Sequence, residues 1–497
     1  MALDSQSQPF ANNNETVDKV FLEQYYAECQ DVVLHPFYVG DSENRQTILL
    51  IYCDGMSNAG QINQFVLPRL ERMYGKTGFS SVTDIEDCQY IPLTRLNTDQ
   101  LLKELDMKVF GGMLVVYFQE IHAFFTMDVS DQPNRSPEES STESSIKGPH
   151  DGFTESLTTN VALVRKRLRS QSFCVENFVL SERGQTKVSL LYIKDIINQD
   201  IVTEIRSRLN SYEGDAIIGT SQIEDLVQGD LKSIFPLTDY VGRPDYVADS
   251  ILSGRFAVIF DGSPMAIIAP ITLSSLIKSP EDTNMPFHIA SIQRIMRLAG
   301  LVIALFLPGF YIALTSFNIE QVPTPLLATI MNSRSGLPFS ISMETFMMLF
   351  LFEVFHEAGI RLPKSVGQTI TVVGGLIVGD AAIRAGITSP TMIVMVAVTI
   401  IATFTLVNQV LAGTTAIIRL YVLMLSSFLG MFGFFIALFS LVLHLAALEC
   451  YGVPYLAPIS PYINRDAWEG LLRKPVKNMF RRPKVLRTQD PTRKGSE

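Results

Sequence analysis

The sequence is poor in the residues that most often carry chemistry. Its 497 residues hold only five cysteines and six histidines. The cysteines (Cys29, Cys53, Cys88, Cys174 and Cys450) are scattered, with no C-x-x-C, and read as reduced structural thiols. No histidine stands at ligand spacing from a cysteine, so the common zinc patterns are excluded and no metal is expected. The phosphate-binding G-x-x-x-x-G-K-[ST], the H-E-x-x-H of zinc proteases and the G-x-S-x-G of hydrolases are all missing. With no nucleophile, base and orienting group gathered, the chain does not read as an enzyme, and no cofactor is implied. Asp54-Gly55 and Asp261-Gly262 read as turns after strands. A formal net charge of -10, with an acidic first half, argues against a nucleic-acid partner. The opening MALDSQSQPFANNNE has neither the basic nor the apolar stretch of a secretory signal, so the first half is expected on the cytoplasmic side.

What the chain does have is two unlike materials. To about residue 290 it is polar, acidic and broken by turn residues; from Leu298 it is apolar. Leu298–Ile319, Ala385–Ile418 and Leu420–Leu448 are uncharged runs long enough to cross a bilayer, which takes about 20 residues. Arg294 and Arg297 precede the first run, and the tail 473–484 (RKPVKNMFRRPK) is basic. Both flanks therefore read as cytoplasmic, and the tail suits anionic lipid headgroups as well as a simple positive-inside flank.

The polar half repeats itself. IED and PLT occur at 85 and 92, then again at 223 and 236. Each PLT is followed by a helical stretch ending in Gly and then a hairpin, 112-GMLVVYFQEIHAFFTMD and 254-GRFAVIFDGSPMAIIAP. Upstream, 49-LLIYCDG and 190-LLYIKD are short apolar runs that suit buried strands, each leading into an amphipathic helix. The expected fold class is an α/β soluble N-terminal half of two similar tandem subdomains, followed by an all-α polytopic membrane domain. The boundaries are 1–129 for the first subdomain, 130–150 for a flexible Ser/Pro/Glu linker and 151–287 for the second subdomain. A helical membrane domain follows at 288–450 and a basic cytoplasmic tail at 451–497.

The stretch 345-TFMMLFLFEVFHEAGIRLPKS sets the problem of function. Placed on a helix over 340–361, Glu353, His356, Glu357 and Arg361 fall on one stripe at i, i+3 and i+4 spacing, with Glu344 on the opposite side. Two Glu and one Arg facing lipid would cost roughly 8–10 kcal/mol, which discards that placement. Three others stand. The stripe faces a water-filled path, or pairs internally with Asp380 or Arg384, or lies in the headgroup plane. Gly375-x-x-x-Gly379 reads as a close helix-packing face. Five apolar segments are visible, at 298–318, 340–358, 366–382, 387–410 and 418–448. Two cytoplasmic ends require an even number of crossings. Either 340–358 or 366–382 is therefore expected to be in-plane or re-entrant, leaving about four crossings.

Long ordered strings carry a family resemblance. The runs 288-HIASIQRIMRLAGLVIALFLPGFYIAL, 323-PTPLLATIMNSRSGLPF and 357-EAGIRLPKSVGQTITVVGGLIVGDAAIRAGITSP resemble the A subunit of GerA-type spore germination receptors. So do 152-GFTESLTTNVALVRKRLRS and 187-KVSLLYIKDI. The resemblance covers about 150–450, and residues 1–148 more loosely. One departure is 407-VNQVL, where a Pro-containing break would be expected after the 387–406 segment.

The resemblance implies a multi-subunit nutrient sensor in the inner membrane of a bacterial endospore. This subunit would form a homo-oligomer in the membrane and an ion-conducting path. A transporter-like B subunit would bind the germinant, and a lipoprotein C subunit would complete the receptor. The competing expectation is a non-conducting membrane scaffold that assembles the receptor and recruits partners.

Overall fold

The structure is a computed structural model that describes residues 17–40, 45–79, 81–86, 90–96, 101–133, 147–229, 233–361, 379–475, 477 and 480–493. The chain divides into two compact units. One holds Met1–Val227, Tyr240–Ile268 and Leu486–Pro491; the other holds Gln228–Asp239, Ala269–Val485 and Thr492–Glu497.

The first unit is built on two five-stranded sheets of the same strand order. Strands β1 (Val32–Val39), β2 (Gln46–Cys53), β3 (Thr94–Arg95), β4 (Leu114–Phe118) and β5 (Ala123–Met127) lie in the order β1-β2-β4-β5-β3. Strands β6 (Phe173–Leu180), β7 (Thr186–Ile193), β8 (Asp239–Val241), β9 (Phe256–Phe260) and β10 (Ala266–Ala269) repeat it as β6-β7-β9-β10-β8. The registers correspond too: Ile48 faces Phe118 as Val188 faces Phe260. The helix that follows each second strand is capped by an asparagine, Asn58 accepting from the Gln61 N–H and Asn198 from the Asp200 N–H. The two PLT triplets lead into the edge strands β3 and β8.

Why β2 reads as an unbroken apolar run follows from its position. Successive side chains of a strand point to opposite faces. Leu49, Ile51 and Cys53 join one buried cluster, with Tyr26, Val109 and Ala162. Ile48 and Leu50 join another on the other face, with Ile62, Val66, Leu70 and Met73 of the helical stretch after Asn58. Each such side chain contributes about 1.5–3 kcal/mol when fully buried. Ala162 belongs to helix α1 (Leu157–Arg165), which precedes the second sheet in sequence yet covers a face of the first. The two repeats thus share one core unit rather than standing as separate bodies. The linker expected over 130–150 begins anchored: the Asp131 N–H donates to Met56 O, and Lys166 Nζ to Pro133 O. Residues 134–146 lie outside the described ones.

The second unit is helical. Helix α2 (Phe287–Ile312) continues helically to Phe317, and α3 (Ile341–Arg361), α4 (Pro390–Phe404) and α5 (Gln409–Ala447) follow. Among the described residues, two helices are long and apolar enough to cross a membrane, Phe287–Phe317 and Gln409–Ala447.

Two features of this unit differ from the sequence reading. The run Ala385–Ile418 is not continuous, because α4 stops at Phe404 and α5 starts at Gln409. The break needs no proline, since Asn408 leaves helical geometry and caps the Leu411 N–H.

The run 418–448 is not one helix either. Gly430 takes φ 61° and ψ -138°, and α5 folds back on itself there. Tyr421 and Ser440 hydroxyls lie 2.9 Å apart across the fold, although nineteen residues of straight helix would separate them by about 28 Å. A Cβ on Gly433 would collide with Leu425 O. The two arms also come together at their open ends: Thr414 Oγ1 donates to Ile234 O, while the ring of the next residue, Phe235, lies 6.1 Å from that of His444. A segment counted once in the sequence is therefore two antiparallel arms, which changes the parity on which an in-plane segment was inferred. Most of 366–382 lies outside the described residues.

Among the described residues of this unit, Gly309 and Gly300 are sites of close packing. A Cβ on Gly309 would sit 2.8 Å from Val422 Cγ1, and one on Gly300 would collide with Thr405 Oγ1. A Cβ on Gly379 would meet only an ordinary contact, Ile393 at 3.7 Å, and Gly375 lies outside the described residues.

The basic tail, expected as a separate segment, folds onto this unit. Arg473 Nη2 donates to Thr283 O at 2.8 Å, and helix α6 (Asn464–Leu471) packs beside Ser274 and Pro458.

Candidate functional site

Helix α3 carries the charged groups, and the structure gives them two fates. Glu344 is fully buried. Its Oε1 accepts from Thr388 Oγ1 at 2.8 Å, the Ser389 N–H at 2.7 Å and Ser389 Oγ at 2.9 Å; its Oε2 takes Arg334. Ser389 is the N-cap of α4, its Oγ accepting from the Met392 N–H, with Pro390 in the first turn. The carboxylate therefore sits at a helix N-terminus, where free N–H groups and the helix dipole favour an anion. With three neutral donors and a paired cation, Glu344 is satisfied and ties α3 to α4. Met348 packs on Met392 and Met395 one turn further on.

Glu353 has the other fate. Its Oε2 accepts from Arg419 Nη2 at 3.2 Å, and Arg419 Nη1 reaches Thr403 Oγ1 at 3.4 Å. Arg419 is only 7% exposed, whereas the Glu353 side chain is 51% exposed. Arg419 is the sole Lys, Arg, Asp or Glu in α5. One carboxylate thus neutralises a buried guanidinium from the first arm of α5 while keeping an open side.

Of the partners expected for the stripe, Asp380 and Arg384 pair with each other at 2.8 Å, both mostly exposed. His356 lies 5.6 Å from the Phe404 ring at the foot of α4. Glu357 is exposed on the same face as Glu353, and Arg361 ends the helix with its side chain outside the described residues. Glu344 faces away from Glu353, as nine residues of helix dictate. The alignment of Glu344 with Ser389 and His356 with Phe404 makes α3 and α4 run in the same direction.

Arg334, Thr388, Ser389 and Arg419 were missed as partners. A signal for one was available: Ser389 before Pro390 is a helix-start pattern. Arg419 had no such signal, because its partner comes from 66 residues away.

The first unit holds its own buried charge. Arg165, at the end of α1, is fully buried and donates to Asp31 through Nε at 2.7 Å and Nη2 at 2.6 Å. Its guanidinium lies 4.4 Å from the centres of both Phe110 and Phe173. Cys29, Cys53, Cys174 and Cys450 are buried, and Cys88 lies outside the described residues. Burial pushes the Cys29 thiol up to about 12 and holds Cys53 well above the ordinary value. Such thiols are poor nucleophiles, in keeping with a structural role. Among the described residues no group of three or more His, Cys, Asp or Glu could hold a metal ion.

Known proteins resemble this chain along nearly all of its length. Residues 20–485 match the family described as Bacillus/Clostridium GerA spore germination protein. Spore germination protein XA of Bacillus anthracis is 39% identical over 478 residues, covering 96% of this chain and 97% of that protein. Spore germination protein B1 of Bacillus subtilis (strain 168) is 32% identical over 483 residues, covering 97% and 98%. A B. subtilis protein described as the uncharacterized membrane protein YfkQ is 31% identical over 487 residues, covering 97% and 92%. A solved structure, the N-terminal domain of the A subunit of the Bacillus megaterium spore germinant receptor GerK3, aligns at 23% identity and a TM-score of 0.39, covering 50% of this chain and 92% of that one. The chain belongs to the GerA family of spore germination proteins.

Proposed function

We propose that this chain is the A subunit of a nutrient germinant receptor, polytopic in the inner membrane of the spore, with its sheet-bearing unit on the cytoplasmic side. Copies of it assemble in the membrane, and their α3 helices border a germinant-gated cation path. A transporter-like B subunit and a lipoprotein C subunit complete the receptor. No catalytic step is assigned to it.

The observation that carries the path is Glu353. It shares one helix face with Glu357, among exposed apolar side chains such as Phe350 and Val354. A half-open carboxylate at bilayer depth needs water or protein on its open side, because lipid there costs about 2.5–3.5 kcal/mol even on lenient insertion scales. Repeated around a ring, such carboxylates concentrate cations in a low-dielectric wall. The pairing with Arg419 gives the carboxylate a fixed position rather than a free one.

The test is cation flux from liposomes carrying the purified subunit, alone and with its B and C partners plus germinant. Flux that falls or changes selectivity in Glu353→Gln protein of normal abundance supports the path. A fully assembled receptor that responds to germinant but never conducts leaves the scaffold reading in its place.

A further inference from the structure

The chain has a single tryptophan, Trp468, and it is 59% exposed. Tyr462 and Ile459 nearby are 65% and 61% exposed. Large apolar side chains left open together are unusual on a soluble surface and mark an interaction site. Trp468 is turned outward by its own helix. Asp466, on the other face of α6, is buried and accepts from the Lys484 N–H at 2.7 Å, and Gly470 on that face approaches Ser274 and Pro458. Two residues of helix rotate a side chain by about 200°, which sends Trp468 away from that packing.

The level of this patch along the helices can be read from contacts. Val422 and Ser426 pack at Gly309, and Phe434 packs on Phe306 and Phe310 at 5.9 and 5.4 Å. Counting equal lengths of helix down from these contacts brings Gln409 and Ala447, the open ends of the α5 arms, level with Ile295 and Met296 of α2. Arg473, just past α6, exchanges hydrogen bonds with Ser291 one turn lower: its N–H donates to Ser291 Oγ at 3.0 Å. The drop from Met296 to Ser291 is about 8 Å at 1.5 Å per residue. A headgroup layer is roughly 5–8 Å deep on each side of the hydrocarbon. Trp and Tyr are the residues that concentrate there, one end apolar and the other wet. Lys477 and Arg481, further along the same tail, are exposed.

We propose that Ile459, Tyr462 and Trp468 seat in the headgroup layer of an anionic lipid leaflet, with Lys477 and Arg481 against its phosphates. The C-terminal segment is then a membrane-surface anchor continuous with the α5 hairpin, not a free basic tail. This rests on the reading that α2 and α5 cross the bilayer, and the experiment separates the two.

Trp468 is the native reporter. The full chain is placed in nanodiscs of phosphatidylglycerol and phosphatidylethanolamine whose acyl chains carry bromine near the glycerol end. Its emission is compared with that in unbrominated discs, with and without aqueous acrylamide. Resistance of the vesicle-borne chain to alkaline carbonate extraction reports the crossing helices independently. The expected result is an extraction-resistant chain whose emission is mostly lost to brominated lipid and barely touched by acrylamide. Replacing phosphatidylglycerol with phosphatidylcholine is expected to weaken the bromine quenching. An extraction-resistant chain quenched by acrylamide and not by bromine overturns the anchor and leaves the crossing reading standing. One quenched by neither also overturns it, because protein then covers the patch. A chain that carbonate removes overturns the crossing reading itself.

Discussion

Arg165 and Asp31 are 134 residues apart in sequence and meet as a two-pronged ion pair with no side-chain exposure on the arginine. Asp31 enters the first strand of the first repeat, and Arg165 closes the helix that introduces the second. The pair, flanked by Phe110 and Phe173, is the polar rivet of the shared core.

Asp31→Asn leaves that guanidinium buried with half its partner. The expected loss is about 3–5 kcal/mol, the usual range for breaking one side of a buried pair. Thermal unfolding of the full chain in detergent reads it. Replacing both residues by apolar ones of similar size, Asp31→Leu with Arg165→Met, is expected to recover much of the loss. A double variant no better than Asp31→Asn would show that the pair does more than balance its own burial.

Asp282 gives a pH dependence with a definite sign. Burial raises its carboxyl pKa, but hydrogen bonds from Arg297 and Arg294 outweigh that and hold it below the ordinary value. A depressed folded pKa means stability that is fully present above the unfolded carboxylate value, about 3.9, and lost as pH falls through the folded value. Acid unfolding of the helical unit is therefore expected to steepen below about pH 4, and Asp282→Asn to flatten that limb. An unchanged acid limb in Asp282→Asn would sink the assignment.

Glu344 and Glu353 are expected to separate cleanly. Glu344→Gln removes the charge that Arg334 and the α4 N-terminus hold, and a loss of about 3 kcal/mol is expected. Its readout is low abundance or a detergent-extracted chain that fails to assemble. Glu353→Gln alone strips the buried Arg419 guanidinium of its anion, so it is combined with Arg419→Met; abundance of the double variant is expected to hold while ion release changes. The reverse pattern in immunoblot and spore ion-release assays would exchange their roles.

Gly430→Ala forces a side chain into a backbone region, φ 61° and ψ -138°, that glycine alone occupies readily, at about 1–3 kcal/mol in itself. Its Cβ would also lie 2.6 Å from Phe317 Cγ. Phe317→Ala added to it removes the ring contact but keeps the Phe317 Cβ at 2.8 Å and leaves the backbone term, so the double variant is expected to recover only a small part of the lost abundance. A cysteine cross-link between positions 421 and 440 checks the fold-back directly; no cross-link there would refute the hairpin.

How much of this was legible depended on whether the determinant was local. The repeat was, because IED, PLT and the hairpins are short strings whose order survives in the two sheets. The unbroken apolar run of β2 gave a buried strand for the same reason. The hairpin in α5 was not, since glycine is ordinary in apolar helices and nothing in SFLGMFG marks a reversal. Glu344 and Glu353 were placed on opposite sides by spacing alone. Their partners were out of reach, because Arg334, Ser389 and Arg419 arrive through tertiary packing. Arg165 was hidden in 165-RKRLRS, a cluster that looks like a solvated basic face.

The α5 fold-back also bears on how the chain enters a bilayer. From Leu420 to Ala447 there is no Asp, Glu, Lys or Arg, so the tip at Gly430 carries nothing that resists passage through hydrocarbon. Direction must then be dictated from the open ends, where the basic stretch from Arg473 stays behind, while Arg419, midway along the first arm, goes in with Glu353 as its partner. If α5 crosses as proposed, its two arms go in as one insertion event, threaded tip first, with the proposed Trp468 anchor left at the threshold.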